Sequence, residues 1–159
     1  MSLPGVEVIL VDPKDFNLPG DGNDPEGKDP RYTEIVGKAD AFFVVTPEYN
    51  HSFPGSLKRL LDSELQLYNH KPVAFAGVSD GNWGGTRAVE AVVPAVHETG
   101  MVVLSYDVYF PRVQDIFDDH GKITPEFEPT YTKNLGKVYK ELLWMARVFK
   151  QARGNQQKD

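Results

Sequence analysis

The sequence predicts an α/β fold, an open parallel sheet with helices on both faces. Two observations carry this. Short, largely apolar runs occur at residues 6–11, 41–45, 73–78 and 101–106, and that at 41–45 is continuous, as expected of a strand covered on both sides. Stretches with helical spacing alternate with them, and strands alternating with helices join parallel neighbours through right-handed crossovers.

Residues 6–11 (VEVILV) read as the first strand, ended by Asp12-Pro13. Residues 17–30 are rich in Pro, Gly and Asp and read as a long, mobile surface loop. Residues 32–38 form a short helix before the strand at 41–45. That strand stops at Thr46-Pro47, because Pro47 has no N–H and cannot continue a central ladder. Glu48, Tyr49, Asn50 and His51 follow at its carboxyl end, where open α/β sheets bind ligands. Ser52 or Ser56 can cap the next helix, 53–67, whose stripe is Leu57, Leu60 and Leu61. Phe53, Leu60, Leu65 and Leu67 exceed what one helix face buries, which hints at a subunit contact. Residues 73–78 form a buried strand ended by Ser79-Asp80-Gly81. Residues 86–98 are helical, with Ala88, Val92, Ala95 and Val96 on one face, and Pro94 should kink or split them. Gly100 stops that helix, and 101–106 is the last parallel strand. Residues 107–125 read as loop and turn, and 130–153 as a final helix with Leu135, Val138, Leu142, Leu143 and Met145 inward. Residues 154–159 read as a frayed tail, and the whole of 1–159 as a single domain.

Composition narrows the function. The charge is −6 and the pI near 5.2, which disfavours generic nucleic-acid binding. Cysteine is absent, which removes disulfides, thiol catalysis and cysteine metal sites and fits a cytoplasmic protein. No apolar run reaches the roughly 20 residues of a membrane helix, and the start, Met1-Ser2-Leu3-Pro4, does not read as a signal peptide. His51, His70, His97 and His120 show no metal-ligand spacing, so no metal site is expected. No serine lies in a G-x-S-x-G elbow, and no catalytic side chain is assigned.

Thr46-Pro47-Glu48-Tyr49-Asn50, then Ser52, Pro54-Gly55, Leu57-Lys58 and Asp62, resemble the signature of the flavodoxin-like NAD(P)H-dependent FMN reductase and quinone reductase family. The resemblance continues through Lys71-Pro72-Val73-Ala74-Phe75, the glycines from Gly81 to Gly85, Gly100-Met101-Val102-Val103 and Phe117-Asp118-Asp119-His120-Gly121. It implies a flavodoxin-like sheet of order 2-1-3-4-5. It also implies FMN at the carboxyl edge, NADPH or NADH as hydride donor, a quinone, flavin, azo or metal acceptor, and a homodimer or homotetramer. One departure stands out. The family's first strand and phosphate-binding turn would precede residue 6, so the chain is expected to start at the second strand. Either it is a truncated product, or another segment fills the gap, such as one from a second protomer, or the amino-terminal strand corresponds differently. Without that turn, FMN binding is expected to be poor.

The cofactor-binding residues implied are Pro47, Glu48, Tyr49, Asn50, Ser79, Gly81, Trp83, Gly84 and Gly85. Tyr49 is expected to pack on the flavin ring; the plain alternative is a tyrosine wedged in a turn. Glu48 reads as an ion-pair or subunit-contact residue and His51 as a hydrogen-bonding turn residue, rather than acid–base catalysts. Trp83 covers the flavin or lines the nicotinamide pocket, or else anchors its loop. Arg87 reaches cofactor phosphate or a subunit contact. A flavodoxin-type electron carrier and a cofactor-free protein are the alternative functions.

Overall fold

The structure is a computed structural model that describes residues 4–19 and 28–156. A parallel sheet forms its centre. Strand β1 (Phe42–Pro47) pairs with β2 (Pro72–Val78) from Phe42 opposite Val73 to Pro47 opposite Val78. The other edge of β2 takes two short parallel strands, β3 (Val102–Val103) beside Pro72 and Val73, and β4 (Val108–Phe110) beside Ala76 to Val78. The helices are α1 (Pro30–Lys38), α2 (Gly55–Asp62), α3 (Thr86–Glu98), α4 (Val113–Ile116) and α5 (Glu128–Gln156).

Strand alternation divides β2 between two cores. Val73 and Phe75 face Val36 of α1, Leu60 and Leu61 of α2, and Val89, Val92 and Val96 of α3. Ala74 and Ala76 face Val138 and Leu142 of α5. Small residues stand where the long helix lies, and larger ones where three helices meet. Phe75 is fully buried, which stabilises the fold by about 2–3 kcal/mol. α1 begins at Pro30 with Asp29 as its cap, whose Oδ1 accepts from the Arg31 amide at 3.0 Å. The other oxygen, Oδ2, accepts from the Asn17 amide at 3.0 Å, and the Arg31 guanidinium holds this carboxyl well below the usual carboxylate range.

Several expectations change. Residues 6–11 form no strand: no described strand pairs with them, and a ladder needs a partner. Val8 and Leu10 are 76% and 93% exposed in consequence. β1 is not a fully buried strand but the edge of the sheet, with Val45 60% exposed. Residues 101–106 hold only the two-residue β3, and β4 lies in a stretch expected to be loop. α3 passes through Pro94 unsplit. α2 is shorter than expected and is followed by a 3-10 turn, Gln66–Tyr68. Of the four residues offered as surplus, Phe53, Leu60 and Leu67 pack into the first core and only Leu65 is exposed. α5 continues through Gly154, where a frayed tail is expected. Most of the expected loop at 17–30 lies outside the described residues.

Candidate functional site

The carboxyl ends of β1 and β2 enclose a cleft of about 360 Å³ lined by Pro47, Glu48, Tyr49, Val78, Ser79, Asp80 and Val113. Its shape begins at Pro47. The Glu48 amide still donates to the Val78 carbonyl, at 3.2 Å, and then the chain turns back. Tyr49 and Ser52 exchange two backbone hydrogen bonds, of 2.8 and 2.9 Å, around Asn50 and His51. Both central residues have positive φ, 49° and 64°, the mark of a type I′ turn. The reversal leaves the Tyr49 ring 61% exposed at the rim.

The second wall is the glycine loop after β2. Gly84 and Gly85 have φ of 61° and 81°. A Cβ on Gly85 would stand 2.4 Å from the Val78 nitrogen, and one on Gly77 2.5 Å from the Gly84 carbonyl oxygen. These glycines are therefore required by the close packing of the loop on β2. Beneath the loop, the Tyr109 hydroxyl donates to Asp107 Oδ2 at 3.1 Å. Burial pushes the Tyr109 hydroxyl up to about 12, so it keeps its proton and remains a donor. Burial raises the Asp107 carboxyl as well.

Arg87, in the first turn of α3, joins the two walls. Its Nη2 pairs with Glu48 Oε1, its Nη1 lies 2.8 Å from His51 Nε2, and its guanidinium carbon lies 5.8 Å from the centre of the Trp83 ring. The Glu48 side chain is only 6% exposed. Glu48 Oε2 and Arg87 Nε are buried without a protein partner. A charge so placed is costly unless paired, so this ion pair holds the turn to the helix.

Of the residues singled out in the sequence, Pro47, Glu48, Tyr49 and Ser79 line the cleft together. Asn50 sits in the turn above it. The Gly81 carbonyl is taken up by the Arg112 amide and the Ser79 hydroxyl, both at 2.9 Å. Gly84 and Gly85 lie against β2 and the segment 109–111 rather than in the cleft. Trp83 is 65% exposed beside Arg87. Arg87 meets Glu48 and His51 of its own chain. Val78, Asp80 and Val113 complete the lining and were not singled out; Val113 follows β4, itself hidden in a stretch expected to be loop.

The lining is apolar with an acidic edge. Pro47, Val78, Val113 and the Tyr49 ring suit a flat aromatic ligand, while Glu48 and Asp80 bring carboxylates and no lysine or arginine lines the cleft. It therefore fits the ring of FMN, but among the described residues it offers no cation to the phosphate.

Comparison with known proteins shows the family and the fold. The profile of the NADPH-dependent FMN reductase family matches residues 2–115. A quinone reductase of Pseudomonas putida is 33% identical over 105 residues, 62% of this chain and 56% of its own length. An NAD(P)H-dependent FMN reductase of Pseudomonas aeruginosa is 35% identical over 128 residues, 76% of this chain and 69% of its own. The solved structure of FerB, a flavoenzyme NAD(P)H:(acceptor) oxidoreductase from Paracoccus denitrificans, superposes with a TM-score of 0.63 at 26% identity, covering 74% of this chain and 67% of that one. The chain thus spans little more than half of the putida relative.

Proposed function

The chain belongs to the NADPH-dependent FMN reductase family, and from that premise we propose that it passes hydride from NAD(P)H through FMN to a small-molecule acceptor such as a quinone, an azo compound, free flavin or a metal ion. The observation that carries this reading is the cleft at the carboxyl ends of β1 and β2, rimmed by the Glu48–Ser52 turn. FMN, when bound, supplies the redox chemistry; the protein supplies position and electrostatics. Tyr49 offers an aromatic face, Pro47, Val78 and Val113 an apolar wall that excludes water, and Ser79 a hydroxyl at the polar edge. The amides of Asn50 and His51 donate to no backbone acceptor among the described residues and are free for a ligand oxygen. Trp83 offers a second exposed aromatic face on the loop that Arg87 joins to the turn. Gly81, Gly84 and Gly85 serve by shaping that loop. Glu48 is engaged by Arg87 and takes no proton-transfer role. The working form is a homodimer or homotetramer in the cytoplasm; no helix among the described residues is long and apolar enough to cross a membrane.

The test is direct. Purified protein titrated with FMN should quench flavin fluorescence saturably, and the loaded protein should oxidise NADPH faster when a quinone is added. Flavin binding without NADPH oxidation would instead indicate an electron carrier, and no flavin binding would remove the reading.

A further inference from the structure

The turn that presents Tyr49 places two consecutive non-glycine residues in the left-handed region. Asn50 and His51, at φ 49° and 64°, are side chains that visit the left-handed region more often than most, yet neither is the glycine that adopts it without cost. Type I′ loops favour Gly at that second central position. Among the described residues, the backbone hydrogen bonds across the turn are the two between Tyr49 and Ser52. One side chain from outside reaches it twice. Arg87 pairs through Nη2 with Glu48, the residue before the turn, and places Nη1 2.8 Å from His51 Nε2, on the strained residue itself.

The way Arg87 divides its donors is informative. An arginine that only neutralised Glu48 would present its fork to both carboxylate oxygens. Here Glu48 Oε2 and Arg87 Nε are left buried and unpartnered while the second Nη goes to His51. The fork reaches one residue on each side of Tyr49, Glu48 before it and His51 after it. We infer that Arg87 is a positioning residue, a clamp that keeps the 48–52 turn in its left-handed conformation and so fixes where the Tyr49 ring stands. The consequence for the cofactor rests on the reading of Tyr49 given above; the clamp itself does not.

Three variants test it: Arg87→Met, His51→Gly and the two combined, with Arg87→Lys in reserve should Arg87→Met fail to fold. Two quantities are measured, amide hydrogen exchange at Tyr49 and Ser52 in the protein without flavin, and the FMN dissociation constant. Arg87→Met is expected to speed exchange at those two amides by about tenfold or more and to weaken FMN binding by about tenfold, the scale of an unheld strained turn. His51→Gly creates the Asn-Gly pair that forms this turn unaided. In the Arg87→Met background it should return both quantities toward wild type. Unchanged exchange in Arg87→Met, or in Arg87→Lys if that is the variant that folds, would overturn the clamp. Exchange restored in the double variant while FMN affinity stays low would show that Arg87 acts on the cofactor directly and would overturn its positioning role. The expected exchange pattern in a protein that never binds FMN would leave the clamp standing and remove the functional reading instead.

Discussion

His51 and His70 both lie in the left-handed region, at φ 64° and 57°, but at opposite ends of the sheet. Around His70 the strain is surrounded by bonds. Its amide donates to the Gly100 carbonyl at 3.0 Å, and its own carbonyl accepts from Arg153 Nη1 at 2.7 Å. Next to it, Lys71 Nζ donates to the carbonyls of Val36 and Gly37, at 2.6 and 3.2 Å, closing the end of α1. Asp40 accepts from Lys150 at 2.6 Å and from Arg153 at 3.0 Å. Around His51, beyond the two Tyr49–Ser52 backbone bonds, Arg87 is the one side chain among the described residues that reaches in, and Glu48 Oε2 and Arg87 Nε are buried without a protein partner. The same backbone cost is thus absorbed in two ways. The amino end of the sheet is tied by several side chains; at the carboxyl end one side chain, Arg87, reaches the turn from outside it.

The contrast can be broken, most strongly at the glycine loop. Gly85→Ala adds a Cβ 2.4 Å from the Val78 nitrogen at φ 81°, and strain plus overpacking should cost about 2–5 kcal/mol. A urea midpoint indistinguishable from wild type would show that the loop is not seated on β2. Next comes Lys71→Met, which strands the α1 carbonyls and should cost about 1–3 kcal/mol, with FMN affinity unchanged because the proposed site is at the other end. Lys71 adds a pH signature. Burial lowers its pKa to about 8 from the usual 10.5, so above pH 8 the folded protein sheds a proton that the unfolded chain keeps. Wild-type stability should therefore gain a rising contribution from about pH 8 toward 10, absent from Lys71→Met. Tyr32, raised by burial to about 12, and Tyr68, raised further, work in the opposite sense above pH 10. A wild-type curve parallel to that of Lys71→Met between pH 8 and 10 would refute the assignment. The smallest effect is Tyr49→Ala: stability should stay within about 0.5 kcal/mol, because the ring is 61% exposed, while FMN affinity falls about tenfold. Flavin titration decides it, and unchanged affinity would move the ring site elsewhere.

What the sequence disclosed follows from how local each signal is. The 73–78 run is buried on both faces, so its apolar continuity matches its environment, and it was legible. Residues 6–11 carry a similar pattern, but no described strand pairs with them, and composition cannot report strand pairing. β4 has three residues, too few to show a period. At the site, Pro47 marked the end of the strand and the start of the turn. The Arg87–His51 contact spans 36 residues and exists only because α3 packs back against β1, so no spacing rule could reveal it.

α5 carries a consequence of another kind. Its 29 residues make a rod about 43 Å long, whereas the seven residues of β2 span about 23 Å. The helix overhangs the sheet and is fastened at both extremities. Near its start, Tyr131 donates to the Tyr109 carbonyl at 3.2 Å and stacks on Phe110. Near its end, Arg153 and Lys150 hold Asp40. A beam pinned on both sides of its span resists hinge motion, so the sheet cannot flex lengthwise without breaking helical hydrogen bonds or a terminal tie. Any opening of the cleft must come from the loops above the strands, with the platform beneath them moving as one piece.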